Sequence, residues 1–219
     1  MRITETKNQR VFFTSDTHFN HGNIIKYALR RFCLNEYEAA VFKTEDVETI
    51  NALPIAEESI RKHDETLIAN WNAKVGANDI VFHLGDFALG GNLGYVCRIL
   101  RRLNGTIHYI EGNHDKLISR IWYDELDNNK LETYKNFDEI QVNGQSIVLC
   151  HYALRVWNGS HKGAWHLYGH SHGTLPDDPH SKSFDVGVDC HNYTPLSFSE
   201  VGQIMSKKTF KPIDQHDKR

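Results

Sequence analysis

Five short stretches of the chain share one layout: an apolar, β-rich run that breaks into polar residues rich in His, Asp and Asn. The clearest is Ile80-Val81-Phe82, which leads into Leu84-Gly85-Asp86-Phe87. The run reads as a buried strand, and Asp86 stands at its carboxyl end, where α/β folds gather their chemistry. The other four stretches are Asp16-Thr17-His18, Gly112-Asn113-His114-Asp115, Cys150-His151 and Gly169-His170-Ser171-His172. If these strands are neighbours in one fold, all five exits converge on one place.

The rest of the chain supplies such neighbours. Gln9 to Ser15 predicts a first buried strand, and Asn23 to Arg31 a short helix. Glu57 to Val75 predicts a longer helix, because Ile60, Leu67, Ile68, Trp71 and Val75 recur at helical spacing and Glu57 and Glu58 suit its positive end. Strands follow at 80–84 and 106–110, and helices at 93–103 and 116–126, the last ending in the loop Asp127-Asn128-Asn129. Asn143-Gly144 between two apolar runs, 138–142 and 146–150, is a hairpin signal. Further strands are predicted at 166–168 and 183–188, and the capping box Ser197-Phe198-Ser199-Glu200 opens a helix to about Ser206. Strands and helices alternate in the first half and strands dominate the second. That pattern implies a mixed α/β (α+β) chain: two mixed sheets packed as a sandwich with helices outside. A length of 219 residues suits one domain, with a core over about 9–206 and a basic, frayed tail from 207 to 219. Residues 32–55, acidic in patches and weakly periodic, read as an insertion, either a lid over the site or a surface excursion with helical turns.

A net charge of −3 gives no electrostatic footprint for non-specific nucleic-acid binding or for an anionic membrane. No apolar run approaches the ~20 residues that span a bilayer. The four cysteines, Cys33, Cys97, Cys150 and Cys190, lie far apart and form no C-x-x-C pair. With no leader-like start, the expectation is reduced thiols in a cytoplasmic protein. Histidine, at 14 residues, is the compositional outlier and invites a metal or acid–base reading.

Two adjacent divalent cations need several N or O ligands, one ligand shared between them, and open positions for water and substrate. The five stretches supply Asp16, His18, Asp86, Asn113, His151, His170 and His172: two carboxylates, one amide and four imidazoles. A carboxylate is the natural bridge, and Asp86 is the candidate. In His170-Ser171-His172 the two rings, at i and i+2, share a face. His114, beside Asn113, need not bind a metal, and Asp115 is expected to orient its ring as a general acid.

The ordered set D-x-H, G-D, G-N-H-D, H and G-H-x-H resembles the calcineurin-like metallophosphoesterase superfamily, over about Val11 to Ile204. F-T-S-D-T-H-F-N-H, the Trp157 loop and F-D-V-G-V-D…P-L-S resemble its small bacterial and phage members. The resemblance implies a two-sheet βαβ sandwich and a dinuclear-metal phosphoesterase acting on a mono- or diester. Asp16, His18 and His172 would hold one cation and Asn113, His151 and His170 the other, with Asp86 bridging. His114 would protonate the leaving oxygen while a metal-bridging hydroxide attacks phosphorus in line. The mixed N/O set suits Mn, and also Fe, Zn, Ni or Co. His21, Asn23, Arg155 and His161 are candidate substrate contacts, each with an ordinary solvated-loop alternative. The phosphoester partner is expected to be a small molecule or nucleotide, with no membrane partner. A metal-binding interaction scaffold and a nuclease acting on nucleic-acid ends are the competing functions.

Overall fold

The computed structural model describes residues 1–124, 130–211 and 213. The predicted loop at 127–129 and most of the tail lie outside them. In chain order the elements are β1 (Arg2–Ile3), β2 (Val11–Thr14), α1 (Gly22–Tyr27), α2 (Glu36–Phe42), α3 (Val47–Ala52), α4 (Glu57–Lys74), β3 (Ile80–His83), α5 (Leu93–Arg102), β4 (Thr106–Ile110) and α6 (Lys116–Tyr123). There follow β5 (Leu131–Lys135), β6 (Phe137–Val142), β7 (Gln145–Cys150), β8 (Trp165–Tyr168), β9 (Ser183–Asp185), β10 (Leu196–Ser197) and α7 (Phe198–Ser206).

The strands form two mixed five-stranded sheets, ordered β10-β2-β3-β4-β5 and β1-β6-β7-β8-β9. In the first, β2 through β5 are parallel and β10 pairs antiparallel with β2. In the second, only the β6–β7 hairpin is antiparallel. The expected sandwich is the observed fold. Side chains alternate across the first sheet as strand geometry requires. Phe13, Phe82 and Ile110 face inward onto Ile140, Ile147, Leu149, Leu167 and Phe184 of the second sheet. Phe12, Val81, Ile107 and Tyr109 face outward onto Leu67, Ile68 and Trp71 of α4, Val96 and Leu100 of α5, and Ile118 and Ile121 of α6. Strands covered on both faces read as continuous apolar runs, which is why β2, β3 and β4 stand out in the sequence.

Residues 32–55 are not loosely attached. Ile24 and Ile25 of α1, Cys33, Phe42, Ile50 and Leu53 form a third apolar cluster, with Ile60 of α4 packed against it. The buried Glu38 joins α2 to α4, accepting hydrogen bonds from the Asn35 and Ala56 amides and the Ser59 hydroxyl. The start of the tail is held too. Thr209 and Lys211 donate backbone hydrogen bonds to Pro179 and His180, and the buried Lys208 ammonium meets Asp177. The expected fraying therefore does not extend to residues 208–211. All four cysteines are free thiols. Among the described residues no helix is long and apolar enough to cross a membrane.

Candidate metal centre

β2, β3, β4, β7 and β8 all end at the same edge, and there the polar stretches meet. The loop after β2 lies along the loop after β3: Asp16, His18 and Phe19 donate backbone hydrogen bonds to the carbonyls of Gly85, Asp86 and Phe87. This ladder sets Asp16 against Asp86. The second sheet closes over them, with Gly169 packed so tightly on Ser15 and Asp16 that a Cβ would collide. Gly112 is under the same constraint against Asp86.

Two groups of side chains result. The ligand atoms of Asp16, His18 and His172 lie within 4.8 Å of one another, and so do those of Asp86, His151 and His170. Each group takes residues from both sheets. Asp86 Oδ2 lies 3.6 Å from both His18 Nε2 and His151 Nε2, between the two groups. Asn113 Oδ1 is 3.1 Å from His151 Nε2. The seven sequence-predicted ligands are thus brought together.

Five of the seven stand in the left-handed region: Asp16 (φ 57°), His18 (50°), Asp86 (56°), His170 (68°) and His172 (47°). Each such residue costs roughly 1–3 kcal/mol, and strain of this kind collects where function requires it. No sequence pattern announces it, since none of these residues is glycine.

Three imidazoles have one ring nitrogen tied behind them. His151 Nδ1 donates to the Leu84 carbonyl at 2.7 Å, His172 Nδ1 meets Asp189 at 2.6 Å, and His18 Nδ1 meets His21 Nδ1 at 3.3 Å. Their Nε2 atoms turn inward. A neutral His151 that donates from Nδ1 presents a lone pair at Nε2, facing the Asn113 oxygen and Asp86. His18 Nε2 is buried without a hydrogen-bond partner. Converging acceptors and an unpartnered buried nitrogen are what a divalent cation satisfies, so the donor set fits two such ions. The electrostatics agree. Burial pushes Asp16 up to about 8, against weaker opposition from His172. Burial, then Arg30, holds His18 well below the usual imidazole value. A nearby divalent charge reverses the preference of Asp16 for its neutral form and reinforces that of His18.

Around the ligands the structure corrects the role expected of Asp115 and places the other candidate residues. Asp115 does not orient the His114 ring. Its carboxylate accepts from the amides of Asp86 (2.8 Å), Phe87 (2.9 Å) and Gly112 (2.6 Å), so it fixes the loop that carries Asp86. His114 is exposed; its amide donates to Asp86 Oδ1 at 2.9 Å, and its ring lies 5.8 Å from that of His18. His21 lies behind His18. Asn23 is exposed on the first turn of α1, in neither ligand group. His161 is away from the site: it lines a groove of about 560 Å³ with Arg2, Glu139 and Gln145, at the opposite end of β7 from His151. Arg155 lines a second pocket, of about 490 Å³, with Trp157, Tyr168, Leu175 and Phe210.

Two buried histidines without an assigned role turn out to support the site. His83 Nε2 contacts the Thr17 hydroxyl at 3.0 Å, between Asp16 and His18. His166 accepts from the Leu154 amide at 3.0 Å and so pins the loop after His151. Arg30 and Asp189, which carried no chemical signal in the sequence, form a buried ion pair behind His172. The segment F-D-V-G-V-D, which ends at Asp189, was the nearest hint.

A two-sheet α/β sandwich with paired metal-ligand groups at its parallel-strand exits defines a class of metal-dependent hydrolase folds. The chain belongs to the calcineurin-like phosphoesterase family, whose family model matches residues 9–193. An uncharacterized protein of Methanocaldococcus jannaschii is 32% identical over 205 residues, covering 91% of this chain and 93% of its own. A crystal structure of a protein of unknown function from Aquifex aeolicus shares the fold, with a TM-score of 0.59 at 19% identity, over 90% of this chain and 100% of its own.

Proposed function

We propose that the protein hydrolyses a phosphoester with two divalent cations held at the strand exits. The observation that carries this reading is the inward convergence of Asp16, His18, Asp86, His151, His170 and His172, with His18 Nε2 buried and unpartnered. Asp16, His18 and His172 hold one cation; Asn113, His151 and His170 hold the other; Asp86 is shared. A pair of such cations supplies an activated water and neutralises charge on the phosphoryl oxygens.

The chain's own residues do the rest. His114, exposed beside Asp86, donates a proton to the leaving oxygen. Asp115 is a positioning residue that holds the Asp86 and Gly112 backbone. The Leu84 carbonyl, Asp189 and His21 hold the ligand imidazoles in the tautomers that leave Nε2 free. Arg155 lines the pocket walled by residues following His151 and His172 and, with Asn23, remains a candidate contact to the substrate. Manganese is the expected metal, with Fe, Zn, Ni or Co able to bind the same N/O set.

The test is a paired assay on chelator-stripped protein, comparing a chromogenic phosphodiester with the matching monoester, each with and without Mn²⁺. Mn²⁺-dependent turnover is expected, and the ratio of the two rates assigns the ester class. Folded protein that binds metal yet turns over neither ester with any divalent ion would overturn the hydrolase reading in favour of a scaffold.

A further inference from the structure

Arg30 is fully buried at the end of the turn after α1, far in sequence from every ligand except Asp16 and His18. Its guanidinium has five N–H donors, and all five are engaged. Nε and Nη2 meet the two oxygens of Asp189 at 2.8 and 2.7 Å. Nη2 also donates to the Asp16 carbonyl (2.7 Å), and Nη1 donates to the Thr17 carbonyl (2.9 Å) and to His63 Nε2 (2.7 Å). His63 can accept because its Nδ1 faces Asp64 Oδ1 at 2.7 Å; Asp64 in turn accepts from the Asn20 amide and the Tyr95 hydroxyl.

These contacts divide unevenly between the two ligand groups. Arg30 clamps the carbonyls of Asp16 and Thr17, in the turn where Asp16 and His18 are both left-handed. Through Asp189 it also sets His172, whose Nδ1 meets the same carboxylate at 2.6 Å. All three residues of one group, Asp16, His18 and His172, therefore depend on Arg30. Among the described residues, no hydrogen bond of the other group is made to Arg30 itself; the two groups meet at Asp16, whose carboxylate accepts from the His170 amide (2.9 Å), and at the His18 amide, which donates to the Asp86 carbonyl (3.0 Å). His151 rests on the Leu84 carbonyl, and the Asp86 loop rests on Asp115.

The geometry points to Arg30 and Asp189 as positioning residues for one cation above the other: they hold Asp16, Thr17 and His172 directly and reach the second group only through Asp16 and His18. A lysine cannot substitute for Arg30. It offers three donors from a point, where this site takes five from a plane with a bidentate carboxylate. This inference rests on the two-cation reading proposed above.

The experiment is a Mn²⁺ titration of the chelator-stripped full chain, followed by calorimetry and by electron paramagnetic resonance. Two ions per chain with a spin-coupled signal are expected for the unaltered protein; fewer would overturn the two-cation reading itself, and this inference with it. For Asp189→Asn and Arg30→Lys, one binding step is expected to weaken by about 10–100-fold, the usual cost of losing an outer partner of a metal-bound histidine, while the other weakens far less. At intermediate Mn²⁺ the spectrum is then that of an isolated ion. Circular dichroism identifies a variant that fails to fold, and Asp189→Asn, close to isosteric, carries the test if Arg30→Lys does so. Equal weakening of both steps in a folded variant, or no weakening of either, would overturn the assignment.

Discussion

At the scale of single residues, the site is defined as much by backbone as by side chains. Asp16, His18, Asp86, His170 and His172 all have positive φ, and that is what aims five side chains from two sheets at one volume. The sequence identified these residues through their order and type, each after an apolar run. It could not reveal their conformation, because left-handed Asp and His are indistinguishable in sequence from ordinary ones. Nor could it reveal that Asp115 holds backbone amides, because a carboxylate next to a histidine suggests the local pairing first. That correction sharpens what His114 is expected to do alone. His114→Gln should keep its metal content, measured by elemental analysis, and lose about 10²–10⁴-fold in turnover, most severely with poor leaving groups. Loss of metal would instead make His114 part of the ligand shell.

At the scale of elements, the strands legible in the sequence are those buried on both faces. β1, β5 and β10 were not expected: two of them are two residues long and all three lie at sheet edges, where composition carries little signal. The strand expected over 183–188 ends at Asp185, and the chain from Val188 turns into a short 3₁₀ segment that presents Asp189. Residues 32–55 were weakly periodic because α2 and α3 are short and bury only a few positions each. The turn that delivers β3 depends on one carboxylate. Asp79, buried, accepts from the amides of Arg10 (2.7 Å) and Gly76 (2.8 Å) and from the Arg10 guanidinium (2.9 Å). Burial raises its pKa, but these hydrogen bonds outweigh burial and hold it below the usual carboxylate value. A depressed folded pKa stabilises above the unfolded value, near 4, and that stabilisation is lost as pH falls through the folded one. Asp79→Ala should therefore cost about 1–3 kcal/mol at neutral pH, and the gap to the unaltered protein should narrow in denaturant titrations below pH 4. A gap that is constant with pH would show that packing, not charge, accounts for the loss.

At the scale of the whole molecule, the two sheets meet through the inward faces of β2, β3, β7, β8 and β9, and again at the edge where each ligand group draws from both. One difference between the groups has a kinetic consequence. Asp16 and His18 are buried and His172 is largely so, whereas His170 and Asn113 are open to solvent. Water can approach one coordination sphere more readily than the other, and ligand replacement around an ion begins with an incoming water. If each group holds a cation as proposed, exchange of bound metal for an isotope in solution should run in two phases, the faster belonging to the ion at Asp86, His151 and His170. Replacing His170 should abolish the fast phase and leave the slow one, so that the two ions, alike in chemistry, differ in how long each stays.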